Sequence, residues 1–383
     1  MSAMQPATAD NEAKPADPDD LRSVRAEIRA LIERWRSEGR FIPRSDSWLR
    51  SFDIEFSRDL ARAGFLGMTW PRRFGGRGST NSARLVVTEE LLRAGAPVAA
   101  HWIADRQIGP AILRHGSPQL QDEILPGIVS ADYLFCLGMS EPEAGSDLAS
   151  VRTSAKRTDD GWRVSGRKVW TSIAHRATHA YLLARTEKCE RKYDGLTEFI
   201  VDMNSAGITV TPIVDLAGEH HFNEVVFDDV FVPEHRVLGK VGDGWRQVVE
   251  QLSFERGGPE RLLSTYPLLI ALLAEVADSA DVHMTQTIGT LSARLAVLRQ
   301  MSRDVARAVD HGAAPVQEAA TLKMLGNQFE RDVIEAARPL LGREGSAPHS
   351  VFGEALLASP GFTLRGGAAD VLLSVIAKQE LRA

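Results

Sequence analysis

Two segments, GMSEPEAGSD at residues 138–147 and GRKVWTS at residues 166–172, carry the strongest indication of how this chain folds. The first combines glycine, small residues and hydroxyls, so the backbone N–H groups of such a loop can approach a ligand closely. In the second, Trp170 and Ser172 would lie on the same side of a strand, because side chains alternate along it. A planar heteroaromatic cofactor needs such a stacking surface and hydrogen-bond partner. A capped turn and a core tryptophan are the competing interpretations.

The pattern of apolar residues changes on both sides of these segments. Before residue 130 it is helical, with Val24, Ile28 and Ile32 at four-residue spacing. Between residues 130 and 238, short β-branched and aromatic runs alternate with turn residues, which indicates a β-sandwich or barrel. Helical spacing returns after Gly244. The prediction is an α+β multidomain fold with a disordered leader, an N-terminal helical domain, a middle β domain and a C-terminal helical bundle, at residues 1–20, 21–129, 130–238 and 239–383.

The composition excludes several classes of protein. The 383 residues include 44% hydrophobic and 25% charged residues, which is typical of a folded chain. A net charge of −6 gives no basic excess for nucleic acid or an anionic membrane, and no apolar run approaches the ~20 residues that span a bilayer. The cysteines, Cys136 and Cys189, are too few for a disulfide framework. These features predict a cytoplasmic protein.

The two opening segments resemble the flavin-binding segments of the acyl-CoA dehydrogenase family. The resemblance extends in the family's order from about residue 21 to 382, through further segments at residues 107–110, 115–117, 224–233, 242–245 and 365–377. It implies a C-terminal four-helix bundle, FAD as the cofactor and an acyl-CoA thioester as the substrate. The implied reaction is α,β-dehydrogenation, in which a base takes the α-proton, the hydride goes to flavin N5, and electrons pass to an electron-transfer flavoprotein.

The resemblance also bears on the catalytic base. Much of the family carries a glutamate in the C-terminal loop, at the position that is Gly366 here, and a glycine cannot be a base. A smaller group of relatives carries the glutamate on a helix of the C-terminal domain, directly before an arginine. This chain has that pair as Glu255 and Arg256, so Glu255 is the predicted base.

The helical spacing around Glu255 supports this prediction independently. Trp245, Val248, Leu252 and Glu255 follow each other at intervals of three or four residues, so Glu255 continues an apolar stripe and is expected to face inward. Burial would raise its pKa, as a base for a weak carbon acid requires. The alternative is that Glu255 forms a salt bridge to a neighbouring helix and takes no part in catalysis.

The resemblance implies roles for other residues by position. The backbone of Met139 and the side chain of Ser140 should meet the flavin ring, Trp170 should pack on it, and Ser172 should approach N5. Ser146 is expected near the thioester, and Arg256 near the CoA channel, although a structural ion pair is the alternative there. Gly366 would leave room in the substrate pocket, and its region could donate a backbone N–H to the thioester oxygen.

The adjacent histidines His220 and His221 suggest a metal site, but the sequence argues against it. Neighbouring residues on a strand point to opposite faces, so one ion cannot easily take both. No metal is expected. Cys136 is interpreted as a small buried apolar residue.

The sequence departs from homotetrameric members of the family where these bind the FAD pyrophosphate and adenine. The stretch at residues 275–282, ahead of the helix containing Gln286, has two aspartates and no arginine, and aspartates would repel a pyrophosphate. The stretch at residues 336–345 lacks the family's Gln and Gly-Gly-x-Gly run. A heteromer with a sister acyl-CoA dehydrogenase subunit, as in actinobacterial steroid-type members, is therefore one hypothesis. A homomer is the other, with Arg338 or Arg343 as the substitute.

Two further functional hypotheses remain open on the sequence. The first keeps the fold and the flavin but passes electrons to O₂, as an acyl-CoA oxidase does. The second is a catalytically silent subunit that stabilises an active sister chain, and the presence of Glu255 argues against it.

Overall fold

The computed structural model describes residues 20–277, 281–341 and 347–381, without the side chains of residues 252–255 and 379–380. The predicted disordered leader, apart from Asp20, lies outside the described residues. Asp20 is the N-cap of the first helix, where its side chain accepts a hydrogen bond from the Arg22 N–H.

The part before residue 130 is helical, as predicted. The first helix buries Val24, Ile28, Ile32 and Trp35, which lie on one face. A π-helical turn at Ala104–Ile108 joins the fifth and sixth helices. The helices are α1 (Leu21–Ser37), α2 (Ser47–Arg50), α3 (Ile54–Arg62), α4 (Asn81–Arg93), α5 (Ala99–Ile103), α6 (Gly109–His115) and α7 (Pro118–Val129).

The middle part forms an eight-stranded mixed sheet in the order β6-β7-β3-β2-β4-β5-β8, with β1 parallel to β4. A register shift between Val164 and Gly166 marks a bulge in β3. The strands are β1 (Phe135–Gly138), β2 (Ser154–Arg157), β3 (Gly161–Lys168), β4 (His179–Arg185), β5 (Leu196–Asp202), β6 (Ile208–Val214), β7 (His220–Pro233) and β8 (Val237–Leu238).

The chain then returns to helices, and the predicted order of helical, β and helical parts is confirmed. The helices are α8 (Gly244–Glu255), α9 (Tyr266–Ala277), α10 (Val282–Asp310), α11 (Val316–Leu341), α12 (Val351–Phe362) and α13 (Ala369–Glu380). None of the helices in the described residues combines the length and apolar composition needed to cross a bilayer.

The first and last helical parts share one hydrophobic core. Ile28 and Trp35 of α1 belong to the same buried cluster as Leu262, Phe329 and Phe352. The sheet has its own core, which includes Val164, Phe199 and Val225.

An ion-pair cluster, which we call the Arg44 cluster, joins all three parts of the chain. Arg44 pairs with Glu219, just before β7, at 2.6 Å and with Glu354 of α12 at 2.7 Å. Arg50 of α2 pairs with the second oxygen of Glu219 at 2.9 Å. The three parts are therefore held in a fixed relation by charge-assisted hydrogen bonds as well as by the shared core.

Candidate active site

A buried ion pair links the two glycine-containing segments. Lys168, the last residue of β3, is fully buried and donates to Glu141 Oε1 at 2.9 Å and to the Met139 carbonyl at 3.0 Å. Glu141 also accepts from the backbone N–H groups of Arg152 and Thr153, at 2.6 and 2.9 Å. Burial lowers the pKa of Lys168 to about 8, and the Glu141 carboxylate opposes that shift. The pair fixes the loop after β1 against the end of β3.

The second segment turns sharply where β3 ends, and here the sequence interpretation of a continuing strand is wrong. Trp170 and Ile173 have φ values of 60° and 52°, in the left-handed region that a strand does not use. The Val169 N–H still donates to the Ser140 carbonyl at 2.9 Å, so the two segments stay together through the turn. Strand alternation therefore does not determine how Trp170 and Ser172 are placed.

Hydrogen bonds to β7 hold this turn in place. The Thr171 N–H donates to the Asn223 carbonyl at 3.0 Å, and the Asn223 side chain donates to the Thr171 carbonyl at 3.0 Å. The Trp170 ring meets Phe222 edge-on at 5.6 Å but is 57% exposed. A large aromatic ring held on a fixed turn and left uncovered is suited to stack against a planar ligand.

The predicted flavin-binding residues form one group. Met139 and Ser140 are half-buried and lie beside the turn that carries Trp170, and Ser172 is half-buried on the same turn. Ser146, by contrast, is exposed. Among the described residues, no hydrogen bond or ion pair ties Ser146 to that group.

A second group forms at the end of α8. Glu255 is the last residue of that helix, and its side chain lies outside the described residues, as does that of Leu252. Of the predicted inward stripe, Val248 is fully buried and Trp245 is half-buried. Arg256 is buried, and its Nε donates to the Gly366 carbonyl at 3.4 Å.

The loop that contains Gly366 is anchored from the opposite end of the chain. Arg365 pairs with Asp46 at 2.5 Å and lies over the ring of Trp48, 4.6 Å from its centroid. Gly366 has a φ of 67°, a conformation that favours glycine. The structure thus brings Arg256 and Gly366 together, although they are 110 positions apart in the sequence.

A cavity of about 410 Å³ lies beside this second group, a size typical of small-molecule sites. Gly257 and Gly258, which directly follow Arg256, line this cavity. Arg84 of α4, Arg106 of the π-helical turn and Val305 of α10 line it as well. A smaller cavity also borders Arg106 and extends between α6 and α8, where Gln247 and Gln251 line it. The smaller cavity therefore lies along α8, and the larger one borders the residues that directly follow the end of that helix.

The charged residues of this cavity were not predicted from the sequence. Arg106 pairs with the buried Glu260 at 3.2 Å and stacks on Trp102, 4.6 Å from the ring centroid. Arg84 donates to Asn81 Oδ1 at 3.0 Å. The available signal was that Arg84 stands in an otherwise apolar stretch of α4, where the buried Ala83 and Leu85 flank it.

The two adjacent histidines point to opposite sides of β7, as predicted. His220 is exposed and stacks on His175 with the ring centroids 4.0 Å apart, whereas His221 is buried. The ligand atoms of Asp215, Glu219 and His221 lie within 4.8 Å of one another. Because Glu219 already accepts from two guanidinium groups of the Arg44 cluster, ion pairing accounts for this group of residues.

The stretches that depart from the homotetrameric pattern have local partners. Asp281 is the N-cap of α10, where its Oδ1 accepts from the backbone N–H groups of His283 and Met284 at 2.9 and 3.1 Å. Arg338 forms a bidentate pair with Glu335, at 2.7 and 2.9 Å. Arg343, the other predicted substitute for the missing arginine, lies outside the described residues.

Three family models match the chain one after another. "Acyl-CoA dehydrogenase, N-terminal domain" matches residues 19–132, "Acyl-CoA dehydrogenase, middle domain" matches residues 136–230, and "Acyl-CoA dehydrogenase, C-terminal domain" matches residues 242–381.

Individual relatives cover most of the chain. It is 35% identical over 337 residues to acyl-CoA dehydrogenase IpdE1 of Mycobacterium tuberculosis (strain ATCC 25618 / H37Rv). This match covers 85% of the present chain and 86% of IpdE1. Among solved structures, the Tcur3481-Tcur3483 steroid ACAD has a TM-score of 0.84 and 26% identity, over 96% of this chain and 99% of that one. The ChsE4-ChsE5 complex from Mycobacterium tuberculosis has a TM-score of 0.78 and 26% identity, over 97% and 99%.

Proposed function

This chain belongs to the acyl-CoA dehydrogenase family, and from that premise we propose that it oxidises the Cα–Cβ bond of an acyl-CoA thioester, with Glu255 as the base. Two hydrogens leave the substrate, the α-hydrogen as a proton and the β-hydrogen as a hydride. Each needs an acceptor held at contact distance from the carbon that it leaves.

FAD is the cofactor of this family and supplies the hydride acceptor when it is bound. The first group of residues fits a flavin ring. Trp170 offers an uncovered ring face, Ser140 and Ser172 offer hydroxyls, and Met139 contributes its backbone. The buried Lys168–Glu141 pair would keep these groups in register, because it fixes both segments before any ligand arrives.

The choice of base is supported by one contact above all, that between Arg256 and the Gly366 carbonyl. Much of the family carries its base in the C-terminal loop, at the position that is Gly366 here. The contact brings the end of α8 against that loop, and we assign to Glu255 the space that the missing side chain leaves. The adjoining cavity gives the acyl group room.

The remaining substrate contacts follow from the same arrangement. The developing enolate needs hydrogen bonds at the thioester oxygen, and we assign these to backbone donors of the loop around Gly366. Arg256 positions that loop through its hydrogen bond to Gly366, and we place its guanidinium beside the CoA channel. Ser146 is assigned to the thioester side of the substrate, where an exposed hydroxyl is accessible to an incoming ligand.

The test of the base is the Glu255→Gln variant of the FAD-loaded protein. Glutamine keeps the size and polarity of the side chain but cannot take a proton. We expect FAD to stay bound and its anaerobic reduction by an acyl-CoA to slow by about 10²- to 10⁴-fold. The measurement is stopped-flow absorbance of the flavin across a panel of fatty, branched and ring-bearing thioesters.

Glu260 is the described carboxylate in the cavity and provides the competing assignment. Loss of flavin reduction in Glu260→Gln, with normal reduction in Glu255→Gln, would transfer the role of base to Glu260. The matched control is Glu318→Gln, which changes an exposed glutamate of α11 outside the cavities. It should reduce the flavin at the wild-type rate.

We further propose that the chain works beside a sister acyl-CoA dehydrogenase subunit and passes electrons to an electron-transfer flavoprotein. Two observations favour the sister subunit. Asp281 covers the N-terminus of α10, and Arg338 is already paired with Glu335, so the described residues of these two stretches supply no unpaired cation for a pyrophosphate. Turnover that needs the electron-transfer flavoprotein and releases no peroxide would support the dehydrogenase over the oxidase.

A further inference from the structure

The larger cavity contains a guanidinium for which the described part of the chain supplies no carboxylate partner. Arg84 lines the cavity, and its hydrogen bond within the described residues goes to Asn81 Oδ1, an uncharged amide oxygen, at 3.0 Å. No carboxylate among the described residues forms an ion pair with Arg84. Arg84 is half-buried, and a cation that is partly withdrawn from water is costly unless an opposite charge meets it.

The three carboxylates whose charge acts on Arg84 have hydrogen-bond partners of their own. Asp105 Oδ1 accepts from the Gly67 N–H at 2.7 Å, and Glu260 pairs with Arg106 at 3.2 Å. Asp310 accepts from backbone and side-chain groups of Asn81 and Ser82, at 2.6 to 3.0 Å. These three carboxylates influence Arg84 only through space.

Arg84 nevertheless keeps its charge at neutral pH. Burial lowers its pKa to about 10, with a smaller contribution from the neighbouring Arg106. A planar guanidinium with free N–H groups matches a carboxylate in shape as well as charge, because the two can form paired hydrogen bonds.

The rest of the cavity wall is suited to a carbon skeleton. Trp70, Leu85, Val305 and Val309 line it with apolar surface, and the glycines that follow Arg256 line it too. We propose that this cavity binds an acyl group that ends in a carboxylate, and that Arg84 pairs with that carboxylate at the end remote from the thioester. The inference rests on the proposed function in one respect, that an acyl-CoA enters this cavity.

The test compares thioesters that differ only at their far end. The FAD-loaded protein is given CoA monothioesters of α,ω-dicarboxylic acids of five to twelve carbons, each beside the neutral acyl-CoA and the ketone-ended acyl-CoA of equal length. Rates of anaerobic flavin reduction give kcat/KM. Calorimetry with analogues that carry sulfur in place of the β-carbon gives binding without reaction.

At the best-fitting length, the carboxylate should improve both binding and kcat/KM by about 10- to 100-fold over the neutral partner. Arg84→Gln should abolish that preference by raising KM for the carboxylate-ended thioester while kcat stays within a few fold. Arg84→Lys should keep part of the preference, since the charge remains. The matched control, Arg36→Gln, removes an exposed arginine of α1 outside the cavity and should keep all of it.

Several results would overturn the inference. These are the absence of a carboxylate preference at every length, a preference that survives Arg84→Gln, or a ketone that serves as well as the carboxylate. If the neutral thioesters reduce the flavin without any such preference, the proposed function stands and this inference fails. If the carboxylate-ended analogues bind through Arg84 but no thioester reduces the flavin, the inference stands and the proposed function fails.

Discussion

Burial sets the protonation of individual side chains in this protein, and His101 of α5 is the clearest case. Its Nδ1 lies 2.8 Å from Ser57 Oγ, and burial lowers its pKa from about 6.5 to about 3, with a smaller contribution from Arg106. The imidazole therefore stays neutral in the folded protein over a pH range where the unfolded chain takes up a proton.

This difference predicts a loss of stability in acid. Between pH 6.5 and pH 3 the unfolded state binds more protons than the native state at this residue, so the free energy of unfolding falls as the pH falls. At pH 4.5, two units below the unfolded pKa, the loss attributable to His101 is about 2 to 3 kcal/mol. His101→Asn keeps a polar group near Ser57 and removes the titration. Between pH 7 and pH 4.5, its free energy of unfolding should therefore fall by about 2 to 3 kcal/mol less than that of the wild type.

Urea unfolding at the two pH values measures the effect. If the unfolding curves of His101→Asn shift with pH as much as those of the wild type, the loss of stability in acid does not come from His101. His349→Asn, at an exposed histidine far along the chain, is the matched control. The other histidines with lowered pKa values, such as His179 at about 4, are common to both proteins and cancel in the comparison.

The orientation of His220 and His221 could be predicted from the sequence, whereas the role of Arg84 could not. The opposite sides taken by His220 and His221 followed from strand alternation alone. Arg84 could not be assigned, because its significance depends on carboxylates from the π-helical turn after α5, from α10 and from the segment after α8, and these have other partners. No spacing in the sequence reports which charged groups lack a partner after folding.

At the scale of elements, the start of α10 gives a prediction about an acidic residue. Asp281 accepts two backbone hydrogen bonds there, and a carboxylate also suits the positive end of the helix. Asp281→Ala should lower the free energy of unfolding by about 1 kcal/mol, whereas Asp281→Asn, which can still accept those bonds, should cost only a few tenths.

Thermal unfolding monitored by circular dichroism measures both variants. Glu275→Ala, at an exposed residue of α9, is the control and should stay within about 0.5 kcal/mol of wild type. Equal losses in the alanine and asparagine variants would show that charge, and not capping, is what this position contributes.

Elements also show where the sequence was misleading. Periodicity predicted the helical and β parts, because apolar spacing reflects which face each element buries. It failed at the end of β3, where Trp170 and Ile173 leave the extended conformation. The turn is stabilised by hydrogen bonds to His221 and Asn223 of β7, some fifty residues later, and the local sequence contains no sign of them.

For the whole molecule, the prediction concerns how much flavin the chain holds alone. If a sister subunit completes the FAD site, the protein purified by itself should contain clearly less than one FAD per chain. Co-expression with the sister subunit should raise the content to about one FAD per intact site. Absorbance of released flavin against protein concentration gives the ratio, and native mass spectrometry gives the assembly.

A fully flavinylated homotetramer from the chain expressed alone would contradict this prediction. Trp170→Ala changes the turn that we propose to face the flavin, and it serves as the reference for a FAD site that is damaged by a change in this chain alone. It should lower the flavin content of the complex even when the sister subunit is present.

The hydrophobic core shared by the two ends of the chain has a consequence during synthesis. Trp102 belongs to that core, yet Phe362, which belongs to it too, is translated 260 positions later. At about 5 to 20 residues per second, the ribosome needs on the order of ten to fifty seconds to cover that distance. Throughout that interval the early helices lack the cover that the C-terminal helices supply in the folded protein, so we expect nascent chains to engage chaperones until the final helices emerge.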